Sequence, residues 1–581
     1  MAADDLAPAV LKVGRALDAV LGRLRRRAFS SRWSVLFGVI AAACLVVLII
    51  TGVILMFCYE PSVDTVTYHG SYRPLAGVSM SKAFASMLHL SLDVPGGLLL
   101  RQVHHWAALL LPAALALQVL SIFFTGAFRK PRQWAWVLLV AVFLLSLAAG
   151  WSGYALPDDT LSGTGLRITE GVLLGIPLIG TALERILFGG GFPGVAVEHL
   201  YVVHLAVPAV LVVLAVYRIR LLIKLRLPQP AGPGRTETNL VGVPTWPTGV
   251  ARVTGLFFIT IAVTILLGTV AQIAPIWLYG PSSPASASAG SQPDWYTAFL
   301  DGALRLVPPR WEFMWLGRTW TPAIIVPLTA VAVFFMIVAA YPFLEQWISG
   351  DGSDHNLLDR ARDTPGRTGL GVAGMTFFGA LWAAGGADVE ATTFHVAFED
   401  IITALRWVAL LGPIVAYAVT RSVCHALQAG DRDQVREGSE TGVIIRNVGG
   451  GYSEEHRPLT PQQQLSLLPR RSYRLGQDVA SRRPKAYRVR ALLQKQLFDQ
   501  PAEPAEPDTG RSAINPASTT STDTTPGTTA ELPLTGTPTP EPTQGRTLEP
   551  TRGRTPEPTR GRTPEPARGS TPPPPPPKVK V

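Results

Sequence analysis

RQVHHWAALLLPAALALQVLSIFFT, residues 101–125, and HLYVVHLAVPAVLVVLAVYRIRLLI, residues 199–223, decide how this chain folds. Each is almost unbroken in its apolar character. A helix needs about 20 such residues to cross a bilayer, because each adds 1.5 Å against a hydrocarbon core of about 30 Å. Stretches of the same kind recur on either side. Eight are expected to span: 34–57, 103–125, 134–156, 199–223, 251–277, 322–344, 370–386 and 401–426, the seventh being short and rich in Gly. The chain is therefore read as an all-α membrane protein with eight transmembrane helices.

Basic residues set the orientation. Arg23 to Arg32 precede the first span, Arg129, Lys130 and Arg132 follow the second, Arg218, Arg220, Lys224 and Arg226 close the fourth, and Arg360, Arg362 and Arg367 follow the sixth. Every second connection is basic, so both termini are expected in the cytoplasm of a cell-membrane protein, with membrane lipid as its surroundings. The loops 59–101, 157–198 and 278–320 then face outside. Their length and their Gly, Pro and aromatic content mark them as carriers of function.

The net charge of +10 is accounted for by these orienting residues. Without a basic stripe interleaved with aromatics, nucleic acid is not an expected partner. Cys44, Cys58 and Cys424 stand far apart and form no CxxC, zinc or haem-attachment spacing. The first apolar stretch is too long for the h-region of a cleaved signal peptide. From about residue 500 the chain is dominated by Pro, Thr, Glu and Arg, with Gly545, Gly553, Gly561 and Gly569 at a period of eight. Such a segment buries too little apolar surface to order itself and reads as a disordered cytoplasmic tail.

Polar side chains at bilayer depth need a reason. His104 lies near the outer end of the second span and His204 near the outer end of the fourth. Both helices enter from outside, so the two imidazoles lie at similar depth and can supply both axial ligands of a haem iron. An interfacial histidine bonded to a loop is the plainer alternative. Arg101, one turn before His104, is placed to hold a haem propionate. Gly38 and Gly52, fourteen residues or about 21 Å apart on the first span, would let a flat macrocycle approach the backbone. Helix–helix packing would also use glycines there.

Several strings carry a family resemblance: RQVHHWAALL, FFTGAFRKPR, GYALPDDTLSGTGLR, PAGPGRTETNLVGV, QPDWYTAFLDGALRL, VTYHGSYRPLAGV and RDQVREGSETGVI. Over about residues 30–460 the chain resembles the cytochrome b subunit of actinobacterial quinol–cytochrome c reductases. The resemblance implies a haem-binding four-helix domain at 34–225 after a cytoplasmic segment 1–33. A C-terminal membrane domain would follow at 226–430, then a polar segment 431–499 and the tail 500–581. It implies b haem as cofactor, menaquinol or ubiquinol as substrate, and Rieske iron–sulfur and cytochrome c subunits as partners. A terminal oxidase would be a further partner in a supercomplex.

The family's outer quinol site carries a Pro–acid–Trp–Tyr signature, which here is Pro293, Asp294, Trp295 and Tyr296. A carboxylate within reach of a quinol hydroxyl can take a proton, so the resemblance assigns that role to Asp294, with Tyr296 positioning the ring. The segment 153–166 should wall the same pocket, and Gly153 is the outer of two glycines that the family carries on the third span.

The departures fall together. The family's two inner haem ligands should stand fourteen residues after His104 and fourteen or fifteen after His204. Those positions are Gln118, and Arg218 or Ile219, with Tyr217 just before. An expected arginine is Ser121, and the inner partner of Gly153 is Leu139. One outer haem in place of two is therefore expected. Two functional readings follow: a quinol-oxidising enzyme subunit, or a divergent single-haem paralogue with a binding or assembly role.

Overall fold

The computed structural model describes residues 18–283 apart from 20 and 23, then 285, 288, 292–467 and 485–498. The repeats of the tail, and all of 500–581, lie outside the described residues. Eight helices are long and apolar enough to cross a membrane, in the order expected.

In chain order the helices are α1 (Trp33–Leu55), α2 (Lys82–Leu92), α3 (Gly97–Phe124), α4 (Gln133–Ala155), α5 (Thr160–Leu174), α6 (Gly180–Phe188), α7 (Ala196–Lys224) and α8 (Val250–Val270). There follow α9 (Ile276–Tyr279), α10 (Ala298–Leu306), α11 (Pro322–Ser349), α12 (Pro365–Gly385), α13 (Ala387–Phe394), α14 (Phe398–Glu437), α15 (Pro461–Leu467) and α16 (Lys485–Phe498). The spans are α1, α3, α4, α7, α8, α11, α12 and α14. Side chains such as Ile50, Phe258, Met336 and Leu410 stand exposed along them. Lipid suits such a surface, while the backbone groups stay satisfied inside each helix.

Helix α1 packs on α3, α3 on α4 and α4 on α7, with α8 laid against α1 and α3. A second set joins α10, α12 and α14, with α11 against α4 and α10. Buried ion pairs stitch the two sets together at the predicted inner side. Asp359 Oδ2, before α12, takes Arg129 Nη2 at 2.5 Å and Arg367 Nη2 at 2.7 Å. Arg367 also reaches Glu345 at 3.3 Å. Burial alone would push the Asp359 carboxyl up, but Arg367 and Arg129 outweigh it and hold it below its ordinary value. Pairing offsets the cost of burying these charges.

Two boundaries depart from the hydropathy reading for physical reasons. Helix α3 starts at Gly97, earlier than the apolar run, because Arg101 and Gln102 donate to the carbonyls of Ala274 and Ile273 at 3.0 and 2.7 Å. Helix α14 runs 40 residues to Glu437, past its apolar part, as a polar helix capped at Gly438 (φ 101°). Beyond it, the polar segment forms an antiparallel hairpin of Ser439–Arg446 and Tyr452–Arg457.

Candidate functional site

His104 on α3 and His204 on α7 face each other across the predicted outer half of the bundle. Their ring centroids are 6.4 Å apart and the planes make 65°. Two metal–imidazole bonds of about 2 Å each, plus about 1 Å from each nitrogen to its ring centre, span about 6 Å. The gap therefore suits one metal ion between the rings.

The second ring nitrogens fix the tautomers. Thr51 Oγ1 donates to Val47 O at 2.7 Å, so at His104 Nδ1, 2.8 Å away, it can only accept. His204 Nδ1 lies 3.0 Å from Ala149 O, which is an acceptor by nature. Both rings thus carry hydrogen on Nδ1 and leave the Nε2 lone pair free, the arrangement that orients imidazole ligands.

Glycine makes the room beside each ring. A Cβ on Gly52 would stand 3.3 Å from His104 Cε1, and one on Gly153 would stand 2.6 Å from His204 Cε1. Arg101, one turn before His104, is buried, with Nη2 on Ala274 O at 3.0 Å, the guanidinium over Trp277 at 5.8 Å and Nε without a partner. Free Nε2 lone pairs, glycine cradles and an unsatisfied guanidinium N–H fit a flat macrocycle with acidic side arms.

The predicted inner half, fourteen residues or about 21 Å further along, is filled. Gly38 faces the amide of Gln118, whose Nε2 would be 2.6 Å from an added Cβ and donates to Ser34 O at 2.7 Å. Leu139 is fully buried and packs with Ala41, Cys44, Leu111, Leu115 and Leu211. Arg218 donates Nε to Ala135 O at 3.0 Å, and Tyr217 is exposed. Ser121 O accepts from Thr125 Oγ1 at 2.6 Å. No histidine approaches this space among the described residues.

Asp294 and Tyr296 come together beside the histidine pair. Tyr296 Oη donates to Asp294 Oδ2 at 2.8 Å, and His105 Nε2 reaches the same oxygen at 3.4 Å. Tyr296 is 3% exposed, and its hydroxyl touches the space above Gly150, where a Cβ would stand 2.5 Å away. Burial first, then the neighbouring Asp294, raises the Tyr296 hydroxyl well above its ordinary value, so it stays a donor. Trp382 on α12 holds the turn through Trp295 O at 2.9 Å.

The segment 153–166 does stand against this turn. Tyr154 Oη donates to Gln292 O at 3.1 Å, and Thr160 is bonded to the carbonyls of Gly280 and Pro281. Asp159 caps α5, accepting from Leu161 N and Ser162 N. Asp158, at φ 50°, is buried, and burial pushes its carboxyl up to about 6.

Two residues of this constellation have no assigned role from sequence: His105 and Gly150. His105 neighbours His104 in the chain but turns about 100° away on the helix, toward a loop far along the sequence. Gly150 lies one turn before Gly153, and only the position of Tyr296 reveals its use.

Known proteins resemble this chain in sequence and in fold. A family model described as Cytochrome b(N-terminal)/b6/petB matches residues 109–281. The cytochrome bc1 complex cytochrome b subunit of Streptomyces coelicolor is 41% identical over 450 residues, 77% of this chain and 82% of the relative. The subunit of the same description from Mycobacterium tuberculosis is 41% identical over 476 residues, 79% and 86% of the two chains. A solved chain described as hyperthermophilic respiratory Complex III superposes with a TM-score of 0.52 at 19% identity, covering 71% of this chain and 99% of its own, a likeness of fold.

Proposed function

Because this chain belongs to the cytochrome b subunits of the bc1 complex, we propose that it oxidises quinol at an outer site beside Asp294 and binds a single b haem between His104 and His204. The observation that carries the reading is the contrast within one bundle. At one level two imidazoles present free Nε2 lone pairs 6.4 Å apart by centroid; at the next, the same helices meet through leucine and a glutamine amide. Bound there, the haem supplies a one-electron acceptor at the outer side.

The chain's own residues do the rest. His104 and His204 hold the iron, oriented by Thr51 and by Ala149 O. Gly52 and Gly153 leave the macrocycle its faces, and Arg101 offers Nε to a propionate. Gly38 would serve a second macrocycle only if Gln118 left its place.

Quinol oxidation releases two protons and two electrons, and Asp294 accepts a proton from the hydroxyl. Tyr296 and His105 both lie on Oδ2, which leaves Oδ1 toward substrate. The substrate is menaquinol or ubiquinol. The first electron would go to a Rieske iron–sulfur partner, with a cytochrome c subunit beyond it and a terminal oxidase in a supercomplex; the second would go to the haem that His104 and His204 would hold, and the second proton leaves to the outer solvent. The histidine end of the bundle lies outside and both termini lie in the cytoplasm, so a reporter fused within 278–320 should read as external.

The filled inner half also favours a second reading: a divergent paralogue that binds one haem and has little or no full turnover. Fourteen residues of helix, about 21 Å, separate the outer site from the cytoplasmic half, too far for fast electron transfer without a centre between. One pair of measurements tests both. Purified complex should give a pyridine haemochrome value of one b haem per copy of this chain, and a value of two rejects the single-haem reading. Asp294→Asn should slow quinol oxidation by about 10²-fold at unchanged haem content. Wild-type turnover in that variant removes Asp294 from the chemistry, and a wild-type complex without quinol oxidation selects the paralogue.

A further inference from the structure

Residues 309–319, between α10 and α11, are exposed without interruption. They include an antiparallel hairpin, Phe313–Trp315 with Arg318–Trp320, paired Phe313 to Trp320, Met314 to Thr319 and Trp315 to Arg318. A two-stranded hairpin in water normally places polar residues on at least one face. Here Arg318 and Thr319 are outweighed by large apolar side chains in the open: Phe313, Met314, Trp315 and Leu316 are 53, 69, 56 and 75% exposed.

The tip sharpens the anomaly. Leu316 and Gly317 both have positive φ, 51° and 69°, as a tight two-residue turn requires. Asn, Asp or Gly normally fills the first position, since an L side chain is strained there. Here a leucine takes it and projects outward from the protein. Facing water, it gains nothing for that strain.

Position supplies the occupant. Only Thr321 separates the hairpin from Pro322, the first residue of span α11, and Ala323 N donates to Trp311 O at 3.2 Å, so the base of the hairpin is tied into the first turn of that span. The exposed apolar surface then continues down α11 through Val326, Val333, Met336 and Ile337, which face lipid. The side chains suit the boundary layer. Trp311, Trp315 and Trp320 fall within ten residues, and Trp and Tyr concentrate where hydrocarbon meets headgroups. Trp320 Nε1 is already bonded to Trp315 O at 3.1 Å, so that indole enters without an unpaired donor. Arg310 and Arg318 flank the tip, and guanidinium matches phosphate. The open turn peptides place the tip among headgroups and the first acyl carbons, because they could not be satisfied in the hydrocarbon centre.

We propose that the hairpin 311–320 lies in the headgroup layer of the bilayer, with Met314, Trp315 and Leu316 as its inserted edge, and holds the adjacent end of α11 against the membrane. This does not depend on the haem count or on quinol oxidation.

The test uses the full chain in its complex, in lipid nanodiscs. Cys44 and Cys424 are buried, so Cys58→Ser leaves an introduced thiol as the accessible one. A nitroxide is placed at Leu316→Cys, with Val448→Cys, at the fully exposed turn of the 439–457 hairpin, as the aqueous reference and Ile337→Cys as the lipid reference. Relaxation by dissolved oxygen, compared with a water-soluble nickel chelate, should be several-fold more oxygen-weighted at 316 than at 448 and should approach the value at 337. A label at 316 that behaves like 448 overturns the proposal. So does one shielded from both agents in the complex but open to the chelate in the isolated chain, since a protein partner would then cover it. Met314→Cys repeats the measurement if the tip variant does not assemble.

Discussion

The outer and inner halves of the four-helix bundle are made by the same helices and differ in what fills the space between them. In the outer half Gly52 and Gly153 leave room beside two hydrogen-bonded imidazoles whose centroids stand 6.4 Å apart. In the inner half Leu139, Cys44 and Leu211 close the same interval, and Gln118 is tied back to Ser34 O. A bundle this long does not need a cofactor at each level to stay packed. A few side chains at the right depth convert a binding level into an ordinary core, and the change at each position makes sense only with the others.

The largest expected effect separates the halves by ligand. His104→Ala should remove all b haem from the purified protein, while Gln118→Ala should leave the haemochrome value unchanged; equal effects would erase the distinction. Next is packing. Leu139→Ala should cost about 2–5 kcal/mol as a cavity in a closed core, seen as a lower unfolding midpoint with haem content retained. If that variant instead gains a second haem, the inner half is a site held shut by one side chain.

A third test concerns pH. The Asp158 carboxyl in the fold, near 6, lies above its ordinary 3.8. The folded chain thus binds this proton more tightly than the unfolded one, and stability falls as pH rises from about 4 through about 6 and then levels. Asp158→Asn should therefore stabilise the fold at pH 8 by up to about 3 kcal/mol from the two-unit shift, seen as a higher thermal midpoint, and change little at pH 4. An equal gain at both values would mean that charge is not the cause. The smallest effect sets two glycines against each other. Gly153→Ala forces a methyl onto the His204 ring and should cost about 1–3 kcal/mol with weakened haem retention. Gly38→Ala meets only the movable tip of Gln118 and should cost well under that.

How far the sequence could be read follows from where each signal resides. The spans were legible because a bilayer demands long apolar runs, and the order of the eight matches. Their ends were less so: Arg101 and Gln102 look like the outside of a membrane until their carbonyl partners on the 271–275 turn are known. Depth singled out His104 and His204, but an interfacial role stayed open until the glycines, Arg101 and the family resemblance were read with them. Asp294 and Tyr296 needed the family resemblance, because a carboxylate in a loop is usually just solvated. His105 and Gly150 were not legible, since what marks them is the arrival of a distant turn over α3 and α4. The hairpins at 313–320 and 439–457 went unread because apolar alternation in a short loop segment has no burial to confirm it.

The closed inner half has an electrical consequence. A membrane with a voltage across it is a charged capacitor, and moving one elementary charge through it takes about 2.3 kcal/mol per 100 mV. A protein adds to that voltage only if charge traverses the dielectric. Leu139, Leu111, Leu115 and Leu211 form an insulating plug over the inner part of the path. On the single-haem reading proposed above, an electron delivered among the outer residues would stay on the outer plate, its transfer would do no work against the field, and its rate should be indifferent to the voltage the cell maintains.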